Sequence, residues 1–197
     1  MTPYLIHHFL EHHAQTAPEH PACIHGEETL SYAELDRAAN RVAHMLRELG
    51  VRRGDRVALM IENSSSYLAA YYGILKCGGV TVATYSTTTA KTLAYMLNDC
   101  EVGVLITQSK HGAVLAEARD KLSKLRAVVL LDAMQDDTAA ANVADLPWPL
   151  ITSQQVAQQA DTPLPLAMVD LNLASIIYTS GSTGDPRGAT LSHLNIV

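Results

Sequence analysis

The chain contains 197 residues, of which 48% are hydrophobic and 17% are charged, and its net charge is −6 from 14 basic and 20 acidic residues. This is the composition of a globular protein long enough to bury an apolar core, and it argues against a disordered or coiled-coil chain. No basic run exceeds Arg52-Arg53, so we expect neither a nucleic-acid partner nor a polybasic membrane anchor.

Four histidines lie in a short helical stretch near the N-terminus, namely His7, His8, His12 and His13. His8 and His12 have the spacing of two metal ligands on one helix face. The stretch lacks the His-Glu-x-x-His order of a metalloprotease site. We therefore expect an amphipathic helix whose histidines face solvent, and no metal site.

The next predicted element is a long helix over residues 31–49. Its apolar stripe consists of Leu35, Ala38, Ala39, Val42, Leu46 and Leu49. Ser31 precedes Glu34 at the spacing of a capping box, which marks the start of the helix. Gly50 has the conformational freedom that commonly ends a helix, and so we expect the helix to stop there.

Between residues 56 and 132, short β-branched runs alternate with segments of helical periodicity. Strands are predicted at 56–61, 80–86, 102–107 and 127–131, and helices at 66–77, 90–100 and 112–125. Such apolar runs are typical of strands that are buried on both faces. The alternation predicts βαβ units, and hence an α/β fold with a mostly parallel sheet flanked by helices.

The segment that follows combines connections with one further strand. Residues 132–149 are polar and alanine-rich, and residues 161–166 contain two prolines. Both segments are predicted to be surface connections. Residues 173–179 (Leu-Ala-Ser-Ile-Ile-Tyr-Thr) predict a buried strand, and this strand leads directly into a glycine-rich run.

Residues 178–188 read Tyr-Thr-Ser-Gly-Ser-Thr-Gly-Asp-Pro-Arg-Gly and contain four Ser or Thr residues and three glycines. Glycines let backbone N–H groups approach an anion closely, and the hydroxyls add hydrogen-bond donors. Arg187 adds a permanent charge whose planar fork suits phosphate. The spacing is neither that of a Walker A loop nor that of a dinucleotide-binding Gly-x-Gly-x-x-Gly motif. We therefore expect a phosphate-binding loop of another kind.

This run resembles the phosphate-loop signature of the adenylate-forming (AMP-binding) superfamily, which includes acyl-CoA synthetases, adenylation domains of nonribosomal peptide synthetases and luciferases. Three other stretches are similar to family motifs in the same order. They are residues 30–35 (Leu-Ser-Tyr-Ala-Glu-Leu), 75–80 (Leu-Lys-Cys-Gly-Gly-Val) and 191–195 (Leu-Ser-His-Leu-Asn). The resemblance implies that residues 1–197 are the first part of the large N-terminal domain of an AMP-forming ligase, ending just after the phosphate loop.

The resemblance also implies a reaction. A carboxylate attacks the α-phosphorus of ATP to give an acyl-adenylate and pyrophosphate, and a thiol then displaces AMP. The implied cofactors are ATP and Mg²⁺, and the acceptor is CoA or the phosphopantetheine of an acyl or peptidyl carrier protein. Arg187 is expected to act catalytically by stabilising charge on the leaving pyrophosphate. The expected ATP-binding residues are Thr179, Ser180, Gly181, Ser182, Thr183, Gly184 and Arg187.

Three features depart from the family's pattern. Arg187 stands where the family usually has Lys, which keeps the charge but changes its geometry. Residues 83–85 (Ala-Thr-Tyr) stand where a Pro is usual. The chain ends at Val197, before the family's adenine-binding region, metal-binding Glu, carboxylate pocket and mobile C-terminal domain. We therefore expect the chain to be inactive alone, and a non-catalytic nucleotide-binding or assembly module is the alternative.

The cysteines and the N-terminal residues favour a cytoplasmic location. Cys23, Cys77 and Cys100 form no Cys-x-x-Cys pair, and an odd number without a disulfide framework is typical of a reducing compartment. The first residues lack the features of a secretory signal, and no run of about 18 apolar residues predicts a transmembrane helix. Cys77 is expected to pack rather than react. For His193, contact with a ligand and structural packing both stay open.

Overall fold

The computed structural model describes residues 4–132, 143–179 and 186–197. Within them, a two-stranded and a seven-stranded sheet are surrounded by helices. The helices are α1 (Ile6–Thr16), α2 (Tyr32–Glu48), α3 (Ser65–Lys76), α4 (Ala90–Asp99), α5 (Gly112–Ala118), α6 (Ser153–Ala157) and α7 (His193–Ile196). The strands are β1 (Pro21–His25), β2 (Glu28–Ser31), β3 (Arg56–Met60), β4 (Val80–Ala83), β5 (Val104–Thr107), β6 (Ala127–Leu130), β7 (Leu150–Ile151), β8 (Leu173–Thr179) and β9 (Arg187–Ser192).

The seven-stranded sheet has the order β7-β6-β5-β3-β4-β8-β9. Every neighbouring pair is parallel except β8 and β9, which are antiparallel. The chain therefore places β4 on one side of β3 and then crosses to the other side for β5. This arrangement confirms the predicted α/β fold with a mostly parallel sheet.

Helices cover both faces of this sheet because successive side chains of a strand point in opposite directions. Val57 and Leu59 of β3 pack with α2, α3 and α6 on one face. Ala58 and Met60 pack with α4 and α5 on the other. All four side chains are fully buried, which explains why the inner strands have continuous apolar sequences rather than alternating ones.

The capping box predicted for α2 is present. The Glu34 N–H donates to Ser31 Oγ at 3.3 Å, and the Ser31 N–H donates to Glu34 Oε2 at 2.9 Å. Gly50 follows the helix with φ of 77°, a left-handed conformation that glycine adopts without strain. The antiparallel hairpin of β1 and β2 was not predicted, because its short strands are largely exposed and lack an apolar alternation.

Several predicted boundaries differ from the structure. β4 ends at Ala83 rather than at residue 86, and α5 ends at Ala118 and is followed by a 3-10 turn over Arg119–Lys121. The short β7 and α6 follow the predicted connection 132–149, and elements of this length leave no periodicity to detect. Residues 133–142 of that connection lie outside the described residues. The strand β9 after the glycine-rich run was also not predicted.

The expectation that the N-terminal histidines face solvent is wrong for His7. His7 is only 6% exposed, because the first turn of α1 packs against α7 and α3. Burial, followed by electrostatic interaction with His8, lowers the pKa of His7 to about 3. His12 and His13 are exposed as expected. Across the described ranges, no helix has the length and apolarity needed to cross a bilayer.

Candidate functional site

The carboxyl edge of the parallel strands contains a crevice. The helices that follow β3 and β4 pack on opposite faces of the sheet, and α/β proteins commonly bind ligands where neighbouring connections diverge in this way. A cavity of about 500 Å³ lies at this edge, within the usual range for small-molecule sites. Its walls are formed by Ile61, Glu62, Asn63, Tyr67, Ala83, Thr84, Tyr85, Ser86, Ile177 and Tyr178.

The fold brings two of the predicted phosphate-binding residues together at this edge. Thr179, the last residue of β8, is paired in register with Arg187, the first residue of β9. Both side chains are exposed, and the two residues that precede Thr179 line the cavity. Thr179 and Arg187 are therefore a paired hydroxyl- and guanidinium-bearing set next to residues of β8 that line the cavity. The other predicted residues, Ser180, Gly181, Ser182, Thr183 and Gly184, lie outside the described residues.

Tyr178 anchors this hairpin to α4. Its hydroxyl donates to Asp99 Oδ2 at 2.5 Å and lies 3.1 Å from Cys100 Sγ. Burial and the hydrogen bond to Asp99 raise the pKa of the phenol above its ordinary value. Gly188 leaves room for the ring, because a Cβ there would lie 2.9 Å from Ile176 Cγ2 and 3.2 Å from Tyr178 Cζ. The only sequence signal for this anchor was an aromatic residue near the end of a predicted buried strand.

Thr84 contributes a buried hydroxyl to the cavity wall. The residue is 8% exposed, and its Oγ1 has no hydrogen-bond partner among the described residues. Such a group is unfavourable unless a ligand or a water molecule bonds to it. The Thr84 N–H donates to Leu59 O at 3.0 Å and continues the ladder between β3 and β4.

A polar network joins the neighbouring strand ends. Thr107 Oγ1 donates to Met60 O at 2.9 Å and lies 3.0 Å from His111 Nδ1. Because a hydroxyl has one hydrogen, His111 must donate from Nδ1 in this arrangement. Asp132 accepts hydrogen bonds from the N–H and the hydroxyl of Ser109. These contacts join the loop after β5 to the ends of β3 and β6.

Cys77 and His193 are both buried. Cys77 is buried, its thiol contacts Ile74 O at 3.1 Å, and burial raises its pKa to about 12. This environment keeps the thiol protonated and unreactive, as expected. His193 is fully buried, and its Nδ1 accepts a hydrogen bond from the Ile6 N–H at 3.2 Å. Of the two possibilities for His193, the structure therefore favours packing. The described residues contain no group of three side chains able to hold a metal ion.

Comparison with known proteins places these features in context. Residues 10–197 match the sequence model of the family described as AMP-binding enzyme. Bacitracin synthase 1 of Bacillus licheniformis is 32% identical over 192 residues, which are 98% of this chain and 3% of that protein. The chain thus spans only a small part of this relative.

Solved structures share the fold. The anthranilate CoA ligase AuaEII in complex with anthranoyl-AMP is similar with a TM-score of 0.85 at 22% identity, over 98% of this chain and 36% of that chain. The N-terminal domain of FACL13 from Mycobacterium tuberculosis, with a bound inhibitor, is similar with a TM-score of 0.76 at 25% identity. That match covers 96% of this chain and 44% of the FACL13 chain. Both comparisons confirm the arrangement of a mostly parallel sheet between two helical layers.

Proposed function

Because this chain belongs to the family of AMP-binding enzymes, we propose that residues 1–197 are the N-terminal portion of an AMP-forming acid–thiol ligase, ending just after its phosphate loop. The ligase activates a carboxylic acid as an acyl-adenylate and transfers the acyl group to a thiol. The observation that supports this most strongly is the pairing of Thr179 with Arg187 at the edge of the cavity. Phosphate binding needs hydroxyl donors and a cation at one place, and this pairing supplies both.

The proposed first step is attack of a carboxylate oxygen on the α-phosphorus of ATP. The bond between that phosphorus and the bridging oxygen of pyrophosphate breaks, and negative charge accumulates on the leaving group. Arg187, Thr179 and the donors of residues 180–184 stabilise this charge. Magnesium bound with the nucleotide would neutralise part of the phosphate charge. In the second step a thiol attacks the acyl carbon and releases AMP.

The acceptor in our proposal is CoA or the phosphopantetheine of a carrier protein. This chain is similar both to bacitracin synthase 1 and, in fold, to a CoA ligase. We therefore keep both acceptors in the proposal. We also propose a cytoplasmic location, since Cys23, Cys77 and Cys100 are all free thiols.

Nucleotide binding to the purified chain tests the proposed phosphate site. We expect Arg187→Ala to weaken binding of magnesium ATP by about tenfold to a hundredfold, because a charge-assisted hydrogen bond contributes about 1.5–3 kcal/mol. Arg187→Lys should weaken it less, since the charge is kept and only the fork is lost. Arg126→Ala is the matched control, because Arg126 is an exposed arginine beside a separate crevice formed with Val51, Asp55 and Lys124. Equal ATP affinity of wild type and Arg187→Ala would contradict the proposed role of Arg187.

Pyrophosphate exchange tests whether the chain is catalytic by itself. We expect no carboxylate-dependent exchange by the purified chain across a broad panel of acids. The chain spans 36% of the solved CoA ligase, and loss of positioning and electrostatic groups together removes most of an enzyme's rate enhancement. Robust exchange would show that the described site suffices for acyl-adenylate formation.

A further inference from the structure

His193 connects the two ends of the described chain. Its side chain is fully buried, and Nδ1 accepts a hydrogen bond from the Ile6 N–H at the start of α1. The ring also meets His7 edge to face, with 5.7 Å between the ring centroids. The N-terminal helix and the segment after β9 are therefore held together through one imidazole.

The same residue lies at the base of the β8–β9 hairpin. The His193 N–H donates to Asn172 O at 3.1 Å, just before β8 begins. Along the hairpin the register runs from Leu173 opposite Ser192 to Thr179 opposite Arg187. His193 therefore sits at one end of a two-stranded unit whose other end carries the proposed phosphate-binding residues.

The contact with α1 requires a neutral ring. A nitrogen that accepts a hydrogen bond from a backbone N–H has no proton of its own, so His193 carries its hydrogen on Nε2. Nε2 is buried and has no hydrogen-bond partner among the described residues. Protonation at Nδ1 would set an N–H donor against the Ile6 N–H, and the new charge would lie in a buried position.

The charged and titratable groups around His193 come from three elements. His7 and His8 belong to α1 and Asp170 precedes β8, while Lys76 of α3 acts on the neighbouring His7. Lys76 is itself buried and forms ion pairs with Glu11 and Asp36 at 2.8 and 2.9 Å. Burial and His8 lower the pKa of His193, and Asp170 opposes this effect. Burial and the neighbouring His8 therefore disfavour a positive charge on the His193 ring.

We propose that His193 is a positioning residue that, as a neutral imidazole, latches the phosphate-binding hairpin to the N-terminal helix α1. Its protonation releases α1 and the hairpin together and thereby weakens nucleotide binding. The part of this proposal that concerns nucleotide rests on the proposed function, whereas the mechanical link between α1 and the hairpin does not.

Hydrogen exchange of the purified chain tests the link without any nucleotide. The probes are the amides of α1 and β9, with the fully buried strand β5 as the internal reference. After correction for the intrinsic exchange rate, we expect exchange in both probes to rise together as the pH falls from about 6.5 to 5.5. One proton taken up on opening changes the opening equilibrium by up to about tenfold per pH unit.

Two variants separate the latch from an ordinary core histidine. In His193→Asn the amide oxygen can take the place of Nδ1 as acceptor but cannot be protonated in this range. We expect slow exchange in this variant and a pH dependence that is weaker by up to about tenfold per pH unit, the share of one proton, whereas the share of the buried His7 remains. His193→Leu, which lacks the acceptor, should exchange rapidly in α1 and β9 at both pH values. An unchanged pH dependence in His193→Asn would overturn the latch, and so would independent opening of α1 and β9 in wild type. Both results can be obtained even if His193→Leu does not fold.

Titration of magnesium ATP in the same samples decides the positioning role. We expect wild-type affinity to fall several-fold between pH 6.5 and 5.5, and His193→Asn to resist this fall. If wild type binds no ATP at either pH, the proposed function fails, and the exchange result still decides the link between α1 and the hairpin. If exchange responds as expected but ATP affinity does not, the latch stands and its effect on nucleotide binding is wrong.

Discussion

The inner strands and the hairpin β8–β9 belong to one sheet but are stabilised differently. β5 and β6 are buried along their whole length, whereas most of β9 is exposed. The inner strands are held by apolar packing on both faces. In the hairpin, β8 pairs with β4 and buries Ile176 and Tyr178 in the core. The exposed β9 depends on its ladder with β8, and individual polar contacts hold the hairpin at Tyr178 and His193. The inner strands β3–β6, called the platform below, are therefore stabilised by many non-directional apolar contacts. The position of the proposed phosphate site depends on a few directional hydrogen bonds.

The largest expected effect tests the inner sheet. Leu105 in β5 is fully buried, so Leu105→Ala should lower the free energy of unfolding by about 3 kcal/mol through lost burial and a residual cavity. Ile24→Ala is the control, because Ile24 is 70% exposed and surface changes are usually within about 0.5 kcal/mol. Urea denaturation measures both. Similar losses in the two variants would mean that the sheet core does not dominate stability.

The second test uses pH on the contacts that hold α1. Because the pKa of His7 is lowered to about 3 in the folded chain, the unfolded chain binds more protons as the pH falls below about 6.5. The stabilisation is fully present above that value and is lost toward about pH 3. Between pH 7 and pH 5, His7 should account for a loss of about 2 kcal/mol. Urea denaturation of His7→Leu should show a smaller loss, whereas the exposed His12→Gln should match wild type.

The smallest expected effect concerns the anchor of the hairpin. Tyr178→Phe keeps the ring against Gly188 but removes the hydrogen bond to Asp99, which should lower the free energy of unfolding by about 1 kcal/mol. Hydrogen exchange should localise the change to β8 and β9. If the loss instead spreads evenly over β3–β6, the distinction between platform and hairpin is wrong.

Periodicity predicted the platform because apolar burial leaves a repeating pattern in the sequence. The strand that ends at Thr179 was found in this way, and the capping box was found from the spacing of Ser31 and Glu34. The burial of His7 was not predicted, because the sequence of α1 alone does not show which other helix packs against this histidine. The hydrogen bond between Ile6 and His193 joins residues at opposite ends of the chain, and only the tertiary fold creates it. The glycine-rich run indicated a phosphate site by residue type alone, and the strand pairing adds the position of Thr179 opposite Arg187.

The proposal that matters most is that Arg187, opposite Thr179 at the end of the β8–β9 pair, contacts the β- or γ-phosphate of ATP. Paired titrations of the purified chain with magnesium ATP and with AMP, followed by NMR, test it most directly because AMP lacks those phosphates. We expect ATP to bind at least about tenfold more tightly than AMP, and Arg187→Ala to remove most of this difference by deleting a charge-assisted contact. Equal affinities for ATP and AMP in wild type, or a preference for ATP that survives in Arg187→Ala, would contradict it.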